Sequence, residues 1–305
     1  MADRKSTILG SLALFLSALV WGASFIFQKT SIQHISPLVF NGVRFLLGAA
    51  ALLPFVAISD RFGGHRRPSV WGDATTPARR RFLLCGGVFS GLLLGAASMT
   101  QHCGMIFTTA GKAAFITALY ILLVPLLGLL RGKRVRPLLW GCVLLAVCGS
   151  YLLCGKMDRG INWGDVICFG CALGFALQII VTGHYAPHVD CLRLSVIEFV
   201  VAGLVSCLAA LCCGKSFSLE GMRRALWAIL YCGLFSSGVG YTFQNIGEKY
   251  VPPVAASLLM SLESVFAVFF GLLIGERMTG REIAGCAAIF TAIVLAQLPS
   301  RQKEK

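Results

Sequence analysis

The stretch 92–132 lies over the stretch 235–275 without a gap, at a constant offset of 143 residues. Gly95 then meets Gly238, Gln101 meets Gln244, Gly104 meets Gly247, Gly128 meets Gly271 and Gly132 meets Gly275. Coincident apolar residues carry little weight, but a matched glutamine inside two hydrophobic runs constrains strongly. The first helices of each half align as well, at an offset of 154: Ala18-Leu19 on Ala172-Leu173, and Phe45 on Phe199. The basic loop 59–81, which the second half shortens, absorbs the change of offset.

With 57% hydrophobic and 13% charged residues, and a mean hydropathy of +0.79, the chain is too apolar for a soluble domain. Ten runs are long enough to cross a bilayer core, which takes roughly 20 apolar residues as helix. They fall at 8–28, 37–58, 82–102, 108–130, 138–155, 164–184, 193–213, 224–246, 252–274 and 282–298. Each repeat thus holds five helices, and an odd number turns the second repeat upside down relative to the first. The predicted fold is an all-α integral membrane protein: two inverted five-helix repeats, 8–155 and 164–298, around a central cavity. Inverted halves that hold a solute near the midplane are the architecture of secondary transporters.

The net charge of +14 argues against nucleic acid once its placement is traced. On this topology 17 of the 27 Lys and Arg lie on one side and 8 on the other, with Arg44 and Lys112 inside spans. That bias follows the positive-inside rule and predicts both termini in the cytoplasm of a bacterial inner membrane. The runs Arg79-Arg80-Arg81 and Arg131-Gly132-Lys133-Arg134 read as topology anchors against anionic headgroups. Arg4 and Lys5 precede an apolar run that continues to Phe27, so it reads as a retained first helix rather than a leader.

Thirteen cysteines lie almost wholly in the spans, where the thiol packs as a small hydrophobe. Cys168 and Cys171 have CxxC spacing, but without a second pair they read as filler and no metal or other cofactor is expected. Gly87, Gly91 and Gly95 make one smooth face on the third helix, as Gly170 and Gly174 do on the sixth, which suits close helix packing in lipid. Pro125, inside the fourth helix, is a candidate hinge.

The run from Ala255 to Phe266 (AASLLMSLESVF), followed by Gly275-Glu276-Arg277, resembles the second-repeat signature of EamA-type carriers of the drug/metabolite transporter superfamily. Trp21-Gly22, Arg44-Phe45, Ala113-Ala114-Phe115-Ile116 and Pro125 resemble the first-repeat pattern. The resemblance covers about residues 8–298. It implies ten helices around a central cavity and export of small metabolites or amphipathic compounds, amino acids and their derivatives among them.

Of 13 acidic residues, Glu263 alone stands near the middle of a predicted span. An ionisable group at that depth is a functional candidate by default. Burial penalises the charged form of a carboxyl group, which suits Glu263 to carry a proton; the alternative is a hydrogen-bonded structural role. Its repeat counterpart is Tyr120. Arg44 has three readings: contact with a substrate carboxylate, an internal pair with a carboxylate such as Glu263, or snorkelling to headgroups. Glu198, which aligns with Arg44, is an inner-gate candidate. Gln101, Gln244 and Gln178 can bind a polar solute or cross-link helices. Trp21, with Phe25, Tyr120 and Tyr241, can line an aromatic pocket. Lys112, at a span end, reads as a snorkelling residue.

The expected partners are a small-molecule substrate and the lipid bilayer, with no nucleic acid; the sequence admits a monomer or a homodimer. No Walker-type glycine loop occurs, so ATP would have to act through another chain. Rival readings are a non-transporting scaffold or sensor, and an intramembrane enzyme acting on lipid. The enzyme would need paired carboxylates, a nucleophile set or a metal cluster, which this chain does not offer at one depth.

Overall fold

Lipid leaves a backbone no partner but itself, so each apolar run closes its own hydrogen bonds as helix. The computed structural model describes residues 4–62, 71–132, 135–154, 162–273 and 279–297. Every regular element among them is helical. The first half holds α1 Arg4–Ser31, α2 Pro37–Phe62, α3 Pro77–Phe107, α4 Ala110–Ala118, α5 Tyr120–Leu130 and α6 Pro137–Cys154. The second holds α7 Trp163–Tyr185, α8 Cys191–Cys212, the short α9 Leu219–Arg224 and α10 Leu226–Leu230, and a π-helical stretch Tyr231–Tyr241. It ends with α11 Thr242–Tyr250, α12 Pro253–Met260, α13 Leu262–Leu273 and α14 Gly280–Gln297.

Short polar residues start these helices. Thr76 and Thr109 accept hydrogen bonds from Arg79 N and Lys112 N. Asn162 and Asp165 cap each other reciprocally at α7, and Asp190 accepts from Leu192 N and Arg193 N at α8. Among the described residues eight helical stretches are long and apolar enough to cross a membrane, so the chain is a multi-pass membrane protein. The runs predicted at 138–155 and 282–298 are helices too, α6 and α14, over their described residues. The Gly275-Glu276-Arg277 motif, Lys133, Arg134 and most of the connector 156–163 lie outside the described residues.

Two of the predicted spans are broken. Leu119 divides α4 from α5 with ψ −10°, and Ser261 divides α12 from α13 with ψ −15°. At both breaks the chain tightens to an i→i−3 bond, Leu119 N to Ile116 O and Ser261 N to Leu258 O. Pro125, the candidate hinge, sits inside α5, six residues past the break at Leu119. Proline is not its cause, because the ninth span breaks alike with Val268 at the matching position.

The chain segments before and after the connector interlock. α3 packs along α7 and α8, α2 along α8, and α1 along α11 and α13. The glycine face of α3 is what brings it onto α8: a β-carbon at Gly91 would lie 2.6 Å from the Glu198 carbonyl oxygen. Against α1 lies the π-helical stretch, whose wide turns offer carbonyls to side chains. Ser236 O accepts from Trp21 Nε1 at 3.1 Å and Gly240 O from Ser17 Oγ at 2.8 Å.

Candidate functional site

Between the interlocked helices lies a partly open cavity of about 450 Å³, its open mouth included. Seven of the eight residues singled out in the sequence line it: Trp21, Arg44, Gln101, Tyr120, Gln178, Gln244 and Glu263. The eighth, Glu198, lies outside the cavity but bonds to Gln178. All eight are buried. Ser24, Phe25, Gln28, Thr117, Phe175, Ser236, Tyr241 and Met260 contribute to the remaining wall.

Glu263 stands in the first turn of α13, immediately after the Ser261 break. Its Oε1 accepts from Tyr120 Oη at 3.3 Å, and Tyr120 is itself the first residue after the Leu119 break. Each broken helix thus delivers one of this pair to the cavity.

Arg44 is 1% exposed, which ends the snorkelling reading. Neither does it form an ion pair with Glu263 among the described residues. Its Nε donates to Asn41 Oδ1 at 2.9 Å, its guanidinium lies 4.4 Å over the Phe45 ring, and its Nη1 has no hydrogen-bond partner. Tyr241 lies within electrostatic reach of both Arg44 and Glu263. A buried cation and a buried carboxyl group therefore face one cavity, with their charges uncompensated by each other.

Behind Arg44 is a layer that the sequence reading missed. Asn41 gives its oxygen to Arg44, so its Nδ2 meets His102 Nδ1 at 3.3 Å, and that nitrogen accepts. His102 Nε2 then donates to Gln28 O at 3.0 Å. These bonds fix a neutral imidazole, which orients Asn41 and through it the guanidinium. The signal was available: Asn41 and His102 are polar residues within apolar runs.

The amides divide. Gln101 Nε2 donates to Thr117 Oγ1 at 3.1 Å, tying α3 to α4. Gln244 Nε2 donates to Gln178 Oε1 at 3.0 Å and to Glu248 Oε1 at 2.7 Å. Gln178 Nε2 donates to Glu198 Oε1 at 2.9 Å, and Asn245 Nδ2 to Glu198 Oε2 at 2.8 Å. Glu263, which the sequence placed nearest mid-span, is not the only acid buried among these helices. Glu198, within its predicted span, is buried, and so is Glu248, because the eighth span runs to Tyr250, beyond its predicted end at 246.

Ionic contacts close both ends of the bundle. At the end holding the α1–α2 and α3–α4 turns, the Lys112 ammonium is paired with Asp165, which also accepts from Thr108 Oγ1 at 2.9 Å. The snorkelling expected of Lys112 is thus replaced by a buried ion pair between α4 and α7. At the other end Arg193 binds Asp60 at 2.6 Å and Asp190 at 2.6 Å, joining α2 to α8.

Comparison with known proteins follows the same line. The model of the EamA-like transporter family matches residues 8–155 and again residues 162–298. An uncharacterized transporter of Archaeoglobus fulgidus is 28% identical, covering 97% of this chain and 88% of its own. The uncharacterized inner membrane transporter YedA of Escherichia coli is 25% identical over 94% of this chain and 90% of its own. A Salmonella typhimurium protein named as a probable amino-acid metabolite efflux pump is 25% identical, with 94% and 93% covered. One solved crystal structure superposes over 100% of both chains with a TM-score of 0.77 at 18% identity, a likeness of fold alone.

Proposed function

The chain belongs to the EamA-like transporter family, and on that premise we propose that it exports a small amino-acid-like metabolite by alternating access. The observation that carries this reading is the pair of opposite groups facing one cavity. Arg44 offers an unpartnered N–H to a carboxylate, and Glu263 offers a carboxyl oxygen to an amine. A zwitterion would compensate both at once, and Trp21 and Tyr241, 4.7 Å apart between centroids, supply apolar surface for its side chain. The naming of relatives as amino-acid metabolite efflux pumps is in keeping with such a substrate.

The architecture in this reading is ten helices in two inverted repeats, 8–155 and 164–298, with both termini in the cytoplasm. Two contacts support it. Tyr120 touches Glu263 at the offset of 143, and Phe45 stacks on Phe199 at the offset of 154, with centroids 6.2 Å apart. Residues related by a two-fold axis meet only beside that axis. The matching breaks at Leu119 and Ser261 fit the same symmetry, and discontinuous helices at the midplane are a recurring transporter device. Alternating access then opens one closure while the other holds: Lys112–Asp165 on the outer side, Asp60–Arg193–Asp190 on the inner.

Metabolites in the medium of cells expressing the native protein, Arg44→Gln and Glu263→Gln test the proposal. Amino-acid-like compounds enriched only by the native protein are expected. Equal enrichment by all three would remove these residues from the binding site, and enrichment solely of compounds lacking an amine or a carboxylate would overturn the zwitterion.

A further inference from the structure

We infer that Glu198 and Glu248 form a cation site, taking a proton or a sodium ion, tied to the substrate cavity through Gln178 and Gln244. Neither carboxyl group lines the cavity, whereas both glutamines do. Glu198 on α8 receives amide N–H groups from Gln178 and Asn245, and Glu248 on α11 receives one from Gln244. The two acids are within electrostatic reach of each other.

What the cluster lacks is positive charge. Three buried acceptors in it have no hydrogen-bond partner: Glu248 Oε2, Gln244 Oε1 and Asn245 Oδ1. Turning either amide over would not help, since its oxygen would then face a carboxyl group. No lysine, arginine or histidine pairs with either acid among the described residues. On α11 itself, Lys249 turns toward the Tyr250 ring, 5.7 Å from its centroid. On α8, Arg193 is held by Asp60 and Asp190, and the Cys191 thiol donates to Asn245 O at 3.5 Å. On α7, Gly183 lies beside Glu248 Oε2 and Thr182 Oγ1 accepts from Gln178, while His184 packs edge-on to Phe82. Two buried acids with three orphaned oxygens and no counter-charge are completed by a small cation, the kind of ligand that unpaired intramembrane carboxylates serve.

The amide chain gives the site its connection. Gln244 Nε2 serves both Gln178 Oε1 and Glu248 Oε1, and Gln178 Nε2 serves Glu198. A solute that engages either amide from the cavity must loosen a bond that holds an acid, so the two occupancies cannot be independent. Only this coupling rests on the transport reading; the cation site stands without it.

The test therefore needs no substrate. Thermal unfolding midpoints of the detergent-solubilised full-length protein, Glu198→Gln, Glu248→Gln and the exposed control Glu220→Gln are compared from mildly acidic to mildly alkaline pH. Each series runs in sodium chloride and in choline chloride at equal ionic strength. In choline the native midpoint is expected to fall as pH rises, by several degrees more than in either buried variant, with Glu220→Gln behaving as native. Sodium restoring the native midpoint at alkaline pH, but not that of the buried variants, identifies a sodium site; no effect of sodium identifies a proton site. The same pH and sodium response in native protein and both buried variants overturns the site. Should the buried variants fail to accumulate, a native midpoint indifferent to both pH and sodium overturns it equally.

Discussion

Tyr120 and Glu263 stand 143 residues apart and meet, hydroxyl to carboxyl oxygen, at 3.3 Å. That separation is the one that lays Gln101 on Gln244. A carboxyl group at both positions would set two like charges against each other in a buried site. A tyrosine at one of them leaves a single acid for the cavity and gives it a donor. The unlike pair thus avoids a repulsion that two acids in this place would suffer.

Removing that donor tests its weight. Tyr120→Phe keeps the ring and deletes the only hydrogen bond that the Glu263 side chain makes among the described residues. A typical hydrogen bond contributes about 1 kcal/mol, so the apparent affinity for the transported compound should weaken by less than about tenfold. Expression level should be unchanged. Exchange measured in proteoliposomes across a range of substrate concentrations would read this as a raised half-saturation constant; a loss of exchange with unaltered affinity would contradict it.

Arg44 should not tolerate lysine. Its aim depends on Nε, which donates to Asn41, and on the plane that lies over Phe45. Lysine has neither the fork nor the plane. With charge kept but geometry lost, Arg44→Lys should transport at least about tenfold less well, within the range of roughly 1.5–3 kcal/mol for a hydrogen bond to a charged group. Asn41→Ala should produce a milder loss of the same kind, since it frees the guanidinium without removing it. Transport by Arg44→Lys at the native rate would mean that charge alone matters there.

Much of this could be read in the sequence, because polar side chains in apolar runs are expensive enough to be informative. Seven of the eight residues singled out share the cavity wall. What was missed has two causes. Glu248 lies two residues past the predicted end of its span, and hydropathy averaged over a window cannot see that α11 continues to Tyr250. Asp165 and Lys112 sit at predicted span ends, where a charge ordinarily meets water. Only the packing of α4 on α7 turns them toward each other. The glycine face of α3 was legible, but not that α8 would be its partner.

The Lys112–Asp165 pair can be broken from either side. Both groups are buried, so removing one takes the ion-pair partner from the other, a loss of up to roughly 3–5 kcal/mol. Asp165→Asn and Lys112→Met should each lower the unfolding midpoint markedly. The double variant should recover part of the loss, because no buried charge is then stranded. The non-additivity of the double-mutant cycle is the quantity to measure. Additive losses would mean that the two side chains act independently and that this end of the bundle is held by other contacts.

Two glycines, one on α3 and one on α5, should respond in opposite ways to the same substitution. At Gly91 a β-carbon would fall 2.6 Å from Glu198 O and 2.8 Å from Val201 Cβ, closer than such atoms can approach. The obstacle is partly backbone, which cannot rotate aside, so α3 and α8 would have to separate. Because Glu198 stands on that stretch of α8, the displacement would also disturb its bonds to Gln178 and Asn245. At Gly128, on α5, a β-carbon meets nothing within 4 Å. Alanine there should be neutral or stabilising by roughly 0.5–1 kcal/mol, the usual gain over glycine within a helix. Gly91→Ala should therefore lower both the membrane yield and the unfolding midpoint, while Gly128→Ala leaves them level or raised. If both variants behaved alike, the close contact of α3 with α8 would not be what holds these helices together.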